Sequence, residues 1–177
     1  MKLSAAVASL AGASSALATA FELMALRPDS PIHLAPFSAA QSNLFLHLPH
    51  QNASCEGEHP NRATFHIKHG SLFLYSKDGE TQEIFVDRSG MGQGKMGYLT
   101  NSPYVPPHFE LENWQINSTG DLSFNGRTLV ACPHSIDRAW SLWVDTSNPT
   151  PGGNKGCLPI RTRAIPVNDP IRCDYSH

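Results

Sequence analysis

The stretch Arg88-Ser-Gly-Met-Gly-Gln-Gly-Lys-Met-Gly-Tyr98 packs four glycines and a lysine into a short loop. Glycines let backbone N–H groups approach a ligand and a lysine can neutralise phosphate, so the chemistry on offer is nucleotide binding. Gly92-x-Gly94-x-x-Gly97 satisfies the dinucleotide pattern, but that pattern works only when its last glycine opens a helix whose free N–H groups hold the pyrophosphate. Here Tyr98-Leu-Thr-Asn-Ser-Pro-Tyr-Val-Pro-Pro107 follows, and its prolines forbid a helix. The Walker spacing also fails: Gly90 and Gly94 stand one residue too close, and Met96 replaces the Ser or Thr that would bind magnesium. The glycines then serve a tight loop with positive φ. If that loop lies on the surface, Lys95 and Met96 should tolerate alanine.

Other groups offer hydrolytic or metal chemistry and fall short of a pattern. His134-Ser135-Ile136-Asp137 contains the residue types of a hydrolase triad, yet neighbours in one loop need not face one another, and neither G-x-S-x-G nor H-E-x-x-H occurs. His47-x-x-His50 and His66-x-x-His69 are spaced as pairs, but in Phe65-His66-Ile67 the histidine falls opposite its apolar neighbours, as a solvent-facing strand residue does. Asp87 and Asp145 each end an apolar run and suit turn acceptors better than paired catalytic carboxylates. No catalytic, cofactor-binding or metal-ligating residue is therefore expected. Alternation assigns Trp114 with Ile116, and Trp140 with Leu142, to the core and points Trp143 the other way, where an indole can stack on sugar. Tyr98 and Tyr104 join it as the expected carbohydrate contacts.

The elements that must position these side chains read as strands. Sustained helical spacing is missing, and 14 prolines punctuate the chain. Phe65-His66-Ile67 and Leu72-Phe73-Leu74 flank a hairpin signal at Lys68-His69-Gly70-Ser71, and Asn125-Gly126 supplies a two-residue turn into Arg127-Thr-Leu-Val-Ala131. Trp114-Gln115-Ile116 and Leu122-Ser123-Phe124 around Asn117-Ser-Thr-Gly120 echo the first hairpin, while Leu142–Ser147 echoes Ile84–Ser89. The expectation is an all-β, single compact antiparallel barrel or sandwich of about nine to twelve short strands, with a β-trefoil as the alternative. Only Phe37-Ser-Ala-Ala-Gln-Ser-Asn-Leu44 looks able to make a helical turn.

The first twenty residues carry a basic tip at Lys2, a short apolar run and an Ala18-Thr19-Ala20 exit, the composition of a secretory signal peptide. The expected organisation is residues 1–20 as leader and 21–177 as one secreted β-domain. A formal charge of −2 gives no nucleic-acid footprint, and no later segment has the roughly 18 consecutive apolar residues of a membrane helix. Neither nucleic acid, nucleotide nor membrane is an expected partner. Cys55, Cys132, Cys157 and Cys173 form an even set suited to two disulfides in an oxidising compartment. Three connectivities are possible, and Cys55–Cys132 with Cys157–Cys173 is favoured because the second pair closes a local loop. No C-x-x-C spacing supports zinc. Asn52-Ala-Ser54 and Asn117-Ser-Thr119 are glycosylation sequons; Asn148-Pro-Thr150 is not.

Phe37-Ser-Ala-Ala40, Gln51-Asn-Ala-Ser-Cys55, Gly70-Ser-Leu72 and above all Glu83-Ile-Phe-Val-Asp-Arg-Ser-Gly-Met-Gly-Gln-Gly-Lys95 resemble the cell wall protein phiA family of filamentous ascomycete fungi. Ala131-Cys-Pro133, Ala139-Trp-Ser141, Cys157 and Cys173 continue the resemblance. It implies a secreted, non-enzymatic wall protein acting in phialide and conidium development, in a family with some allergens, and no cofactor. Wall polysaccharide or other wall proteins are the implied partners. More loosely, Gly94–Tyr98, Trp114–Ile116 and the cysteine positions are similar to the C-terminal domain of Pir-type mannoproteins, whose glutamine-rich attachment repeats are missing here.

Overall fold

A computed structural model describes residues 19–177. The expected leader lies outside the described residues except for Thr19 and Ala20. The chain opens with β1 (Phe21–Leu26), where buried Phe21, Leu23 and Ala25 alternate with half-buried neighbours, the period of a strand with one face on a core. β2 (Phe37–Ala40) and β3 (Asn43–Leu46) follow, replacing the expected helical turn. Gln41 and Ser42 both take positive φ there, which bends the chain into a tight hairpin, and all four residues of β2 are buried. β4 (Ser54–Cys55) precedes the hairpin of β5 (Thr64–Lys68) and β6 (Ser71–Leu74), turned at His69-Gly70 as the sequence indicates.

Then come β7 (Gln82–Asp87), β8 (Lys95–Thr100), β9 (Phe109–Glu110), β10 (Trp114–Ile116), β11 (Leu122–Phe124), β12 (Leu129–Cys132), β13 (Trp140–Val144), β14 (Leu158–Pro166) and β15 (Cys173–Asp174). The strands number fifteen among the described residues, more than expected, because β4, β9 and β15 are two-residue ladders too short to leave an alternating pattern. No helix among the described residues is long and apolar enough to cross a membrane.

The large antiparallel sheet returns on itself. β8 pairs with β13, β13 with β12, β12 with β14, β14 with β1, β1 with β5, β5 with β6, β6 with β7, and β7 again with β8. The hairpin β2–β3 joins this circuit beside β8 and β13, β9 extends it beside β7, and β10–β11 and β4–β15 form separate ladders. Inside lie Phe37, Phe65, Leu72, Leu74, Ile84, Tyr98, Phe124 and Leu129, all essentially inaccessible. Full burial of each large apolar side chain is worth about 1.5–3 kcal/mol.

Disulfides tie the ends: Cys55 to Cys173 and Cys132 to Cys157. This overturns the favoured connectivity. Cys55 and Cys173 are direct partners in the β4–β15 ladder, and Cys157 precedes the stretch of β14 that pairs with β12, whose last residue is Cys132. Both partnerships depend on long-range strand order.

Candidate functional site

The glycine loop is a structural clasp. The N–H of Gly92 donates to Ser89 Oγ (2.9 Å), that of Gln93 to the Ser89 carbonyl (3.0 Å), that of Gly94 to the Asp87 carbonyl (2.7 Å) and that of Lys95 to the Gly92 carbonyl (2.9 Å). Four successive amides, those of Gly92 to Lys95, are thus consumed internally and cannot cradle a phosphate. A Cβ on Gly92 would lie 2.0 Å from the Asp87 carboxyl carbon, and one on Gly94, at φ +96°, would lie 2.6 Å from the Val144 carbonyl oxygen. Gln93 Oε1 accepts from Asn148 Nδ2 (2.7 Å) and the Gly152 N–H (2.9 Å), fastening the loop to its neighbour. Met96 is buried in the core and Lys95 half-buried, so the surface placement of this pair is wrong for Met96. It is the second residue of β8, where Met96, Gly97 and Tyr98 are buried in succession.

Of the three aromatics expected to meet carbohydrate, two are covered. Trp143 does point away from the main core, but Val130 and the Cys132–Cys157 bridge pack against it, Gly152 lies over the indole, and its Nε1–H donates to Ser141 Oγ (3.0 Å). Tyr98 is buried, its hydroxyl donates to the Ser176 carbonyl, and burial pushes its pKa well above the ordinary tyrosine value. Only Tyr104 is open, 62% exposed in a proline-rich loop. The three therefore form no common platform. Trp114 is in the core as expected, while its presumed partner Ile116 is exposed.

Asp87 and Asp145 each accept the N–H two residues ahead, Ser89 at 2.8 Å and Ser147 at 2.7 Å, as turn acceptors do. Asp137 is exposed on a short 3-10 turn. His134 and Ser135 line a hollow with Trp143 and Asn154, but Asp137 does not join them. The ligand atoms of Cys55, His59 and Cys173 cluster, yet both sulfurs are spent in one disulfide. Asn117 is exposed in its turn; its Oδ1 accepts from the N–H groups of Thr119 and Asp121 and from Thr119 Oγ1. Asn52 is exposed as well, at φ +51°. Beneath the Asn117 turn, Asp121 is buried and accepts from Arg161 (2.7 and 3.0 Å) and Arg163 (2.9 Å).

A broad concavity lies elsewhere among the described residues, on the outer face of β5 and β6. His66 and Phe73 are direct cross-strand partners, stacked at 5.2 Å, and Tyr75 meets His66 edge-on at 6.0 Å. The Arg172 guanidinium sits over the Tyr75 ring, 5.6 Å from its centre. His66, Lys68, Tyr75 and Arg172 are shared by two adjoining hollows of about 770 and 460 Å³, which therefore form one trough, with Phe73, Asp78 and Glu80 lining the smaller. Thr19, Ala20, His69, Val167, Asn168 and Pro170 complete the larger hollow, which has no carboxylate in its lining. Burial, and then the charge of Lys68, hold the His66 imidazole below its ordinary pKa, so it is neutral at pH 7. Strand alternation made the outward direction of His66 legible. Tyr75 and Arg172 were missed, because nothing local in the sequence signals that the C-terminal segment crosses β6.

Comparison with known proteins places the whole β-structure. The family described as PhiA-like secreted protein matches residues 21–176. Cell wall protein phiA of Aspergillus fumigatus is 46% identical over 156 residues, covering 88% of this chain and 84% of that protein. Its counterpart in Emericella nidulans is 46% identical over 182 residues, covering 99% and 100%. That of Arthroderma benhamiae is 40% identical over 149 residues, covering 80% of each. No solved structure matches. The looser similarity to Pir-type mannoproteins is not carried by these matches.

Proposed function

Since the chain belongs to the PhiA-like secreted proteins and is on that ground a secreted fungal cell-wall protein, we propose that it works in the wall without catalysis, as a glycosylated component of phialide and conidium development. One observation carries the non-catalytic reading: the larger hollow of the trough is lined by aromatic and cationic side chains with no carboxylate to act as base or nucleophile, and the two in the smaller hollow, Asp78 and Glu80, stand at the exposed Asp78-Gly79 turn. Asp87 and Asp145, the acids a hydrolase would recruit, are each committed to their own turn. The developmental role follows the family resemblance of the Glu83–Lys95 block. Residues 1–20 act as the leader, a reading supported by the family match beginning at residue 21. Glycans attach at Asn117 and Asn52, both exposed. Retention by polysaccharide is the second reading, favoured by the same trough.

Deletion of the gene tests the developmental half: fewer conidia and malformed phialides are expected, and normal conidiation would overturn it. Incubation of the secreted protein with β-glucan, chitin and mannan tests the other half. No soluble sugar should be released; release of oligosaccharide would show an enzyme. Endoglycosidase treatment should increase the gel mobility of the protein, with one glycan lost in Asn117→Gln.

A further inference from the structure

We propose that the trough around His66, Lys68, Tyr75 and Arg172 binds an anionic saccharide, a sugar chain bearing phosphate esters or uronates. The chain as a whole is formally negative, so a hollow walled by Lys68 and Arg172 and free of carboxylates is a local concentration of positive charge. Neutral sugars are gripped largely by acceptors for their hydroxyl protons, which this hollow lacks among its charged side chains. Cations select for acid groups instead.

Arg172 is held for this task from three sides. Its carbonyl accepts the Glu56 N–H (3.0 Å), the next residue's N–H donates to the Tyr75 carbonyl (3.1 Å), and that next residue is Cys173, bonded to Cys55. With its guanidinium laid over the Tyr75 ring, the side chain loses little freedom on gripping an anion. Its existing partner is weak: Asp78 stands 3.6 Å away and is almost fully exposed, a pairing a ligand can displace. Lys68 is exposed and makes no ion pair among the described residues. The continuity of the two hollows suits a chain better than a monosaccharide, with its acid groups in the larger hollow, because Asp78 and Glu80 line the smaller one. Thr19 and Ala20 close one end of the larger hollow. Removal of the leader after Ala20 would open that end and leave the α-ammonium of Phe21 there.

The inference rests on the reading of the protein as a wall resident, but its test uses purified secreted protein and so fails or succeeds apart from the deletion phenotype. Titration calorimetry is run with phosphorylated mannan and the same mannan after phosphatase, with polygalacturonate and its methyl ester, and with a neutral β-glucan. Binding is expected to at least one charged form, to fall about tenfold when its charge is removed, and to weaken as salt rises from about 50 to about 300 mM. The phosphorylated and uronate arms identify which acid group is recognised. Lys68→Gln and Arg172→Gln should each weaken binding about tenfold, as loss of a charge-assisted contact does. The exposed Lys68 site decides if Arg172→Gln also lowers the melting temperature. Equal binding of charged and neutral forms, no binding by the wild-type protein, or charge-selective binding that Lys68→Gln leaves unchanged would each overturn the proposal.

Discussion

At Asp121 burial and pairing pull in opposite directions. Burial alone would raise the carboxyl pKa, but hydrogen bonds from Arg163, Arg161 and Thr119 together outweigh it and leave the group below the ordinary carboxylate range. The folded state therefore binds this proton less readily than the unfolded chain. The stability it contributes is present above the unfolded value of about 3.9 and disappears as pH falls through the depressed folded value. His59 and His66 act with the same sign at higher pH, since burial first holds both imidazoles below their ordinary value. Their contribution is present above about 6.5 and lost below it. A melting curve measured from pH 7.5 to 2 should thus step down twice. Asp121→Asn keeps the shape and removes the charge, so it should melt below wild type near neutrality, by about 1–3 kcal/mol, and converge with it near pH 2. A gap that stays constant across the acid range would mean that the lost contacts of Asp121 are not charge-dependent.

Elements show where the sequence was readable and where it was not. The His69-Gly70 and Asn125-Gly126 turns were legible because two-residue hairpins demand positive φ and these residues supply it. Alternation placed Trp114 inside, and His66 on the face opposite Phe65, for the same local reason. Strand partnership was not legible, since β4 and β15 are too short to leave a pattern and meet only because the fold brings residues 54 and 174 together. With that pairing hidden, the disulfides were misassigned, Arg172 went unnoticed beside Tyr75, and the roof over Trp143 was invisible. The two bridges are not equal. Cys55–Cys173 spans 118 residues and Cys132–Cys157 spans 25. Loop-closure entropy assigns about 5 kcal/mol to the first and about 3.5 kcal/mol to the second. Replacing Cys55 and Cys173 together by Ser should lower stability in urea more than replacing Cys132 and Cys157. The reverse order would show that the bridge over Trp143 contributes through packing more than through chain constraint.

For the whole molecule, the decisive feature is that the circuit of strands is closed by two ladders of very different reach. β7 and β8 are neighbours in sequence, whereas β1 and β14 join the two ends of the described chain through six facing pairs, from Phe21 with Pro166 to Leu26 with Arg161. Removing the β1–β14 ladder would leave long unpaired edges on strands whose inner faces bury Leu23, Ala25 and Ile160. Opening β1 from β14 therefore exposes core as well as backbone, and that couples the chain ends to the rest. Tyr175 adds to this coupling: it is buried near the C-terminus, its hydroxyl accepts the Thr64 N–H (3.1 Å), and Gln82 brackets its backbone from both sides. Burial pushes the Tyr175 hydroxyl up to about 12, so it stays protonated throughout the working range. Amide hydrogen exchange reads such coupling directly. The facing amides of β1 and β14 should exchange with the same opening free energy as those of β7 and β8, equal to that of global unfolding. The separate β10–β11 ladder should open at lower free energy. If β1 and β14 instead exchange ahead of β7 and β8 while the remaining strands stay protected, the ends fray independently and the sheet is an open one whose closure adds little to its cooperativity.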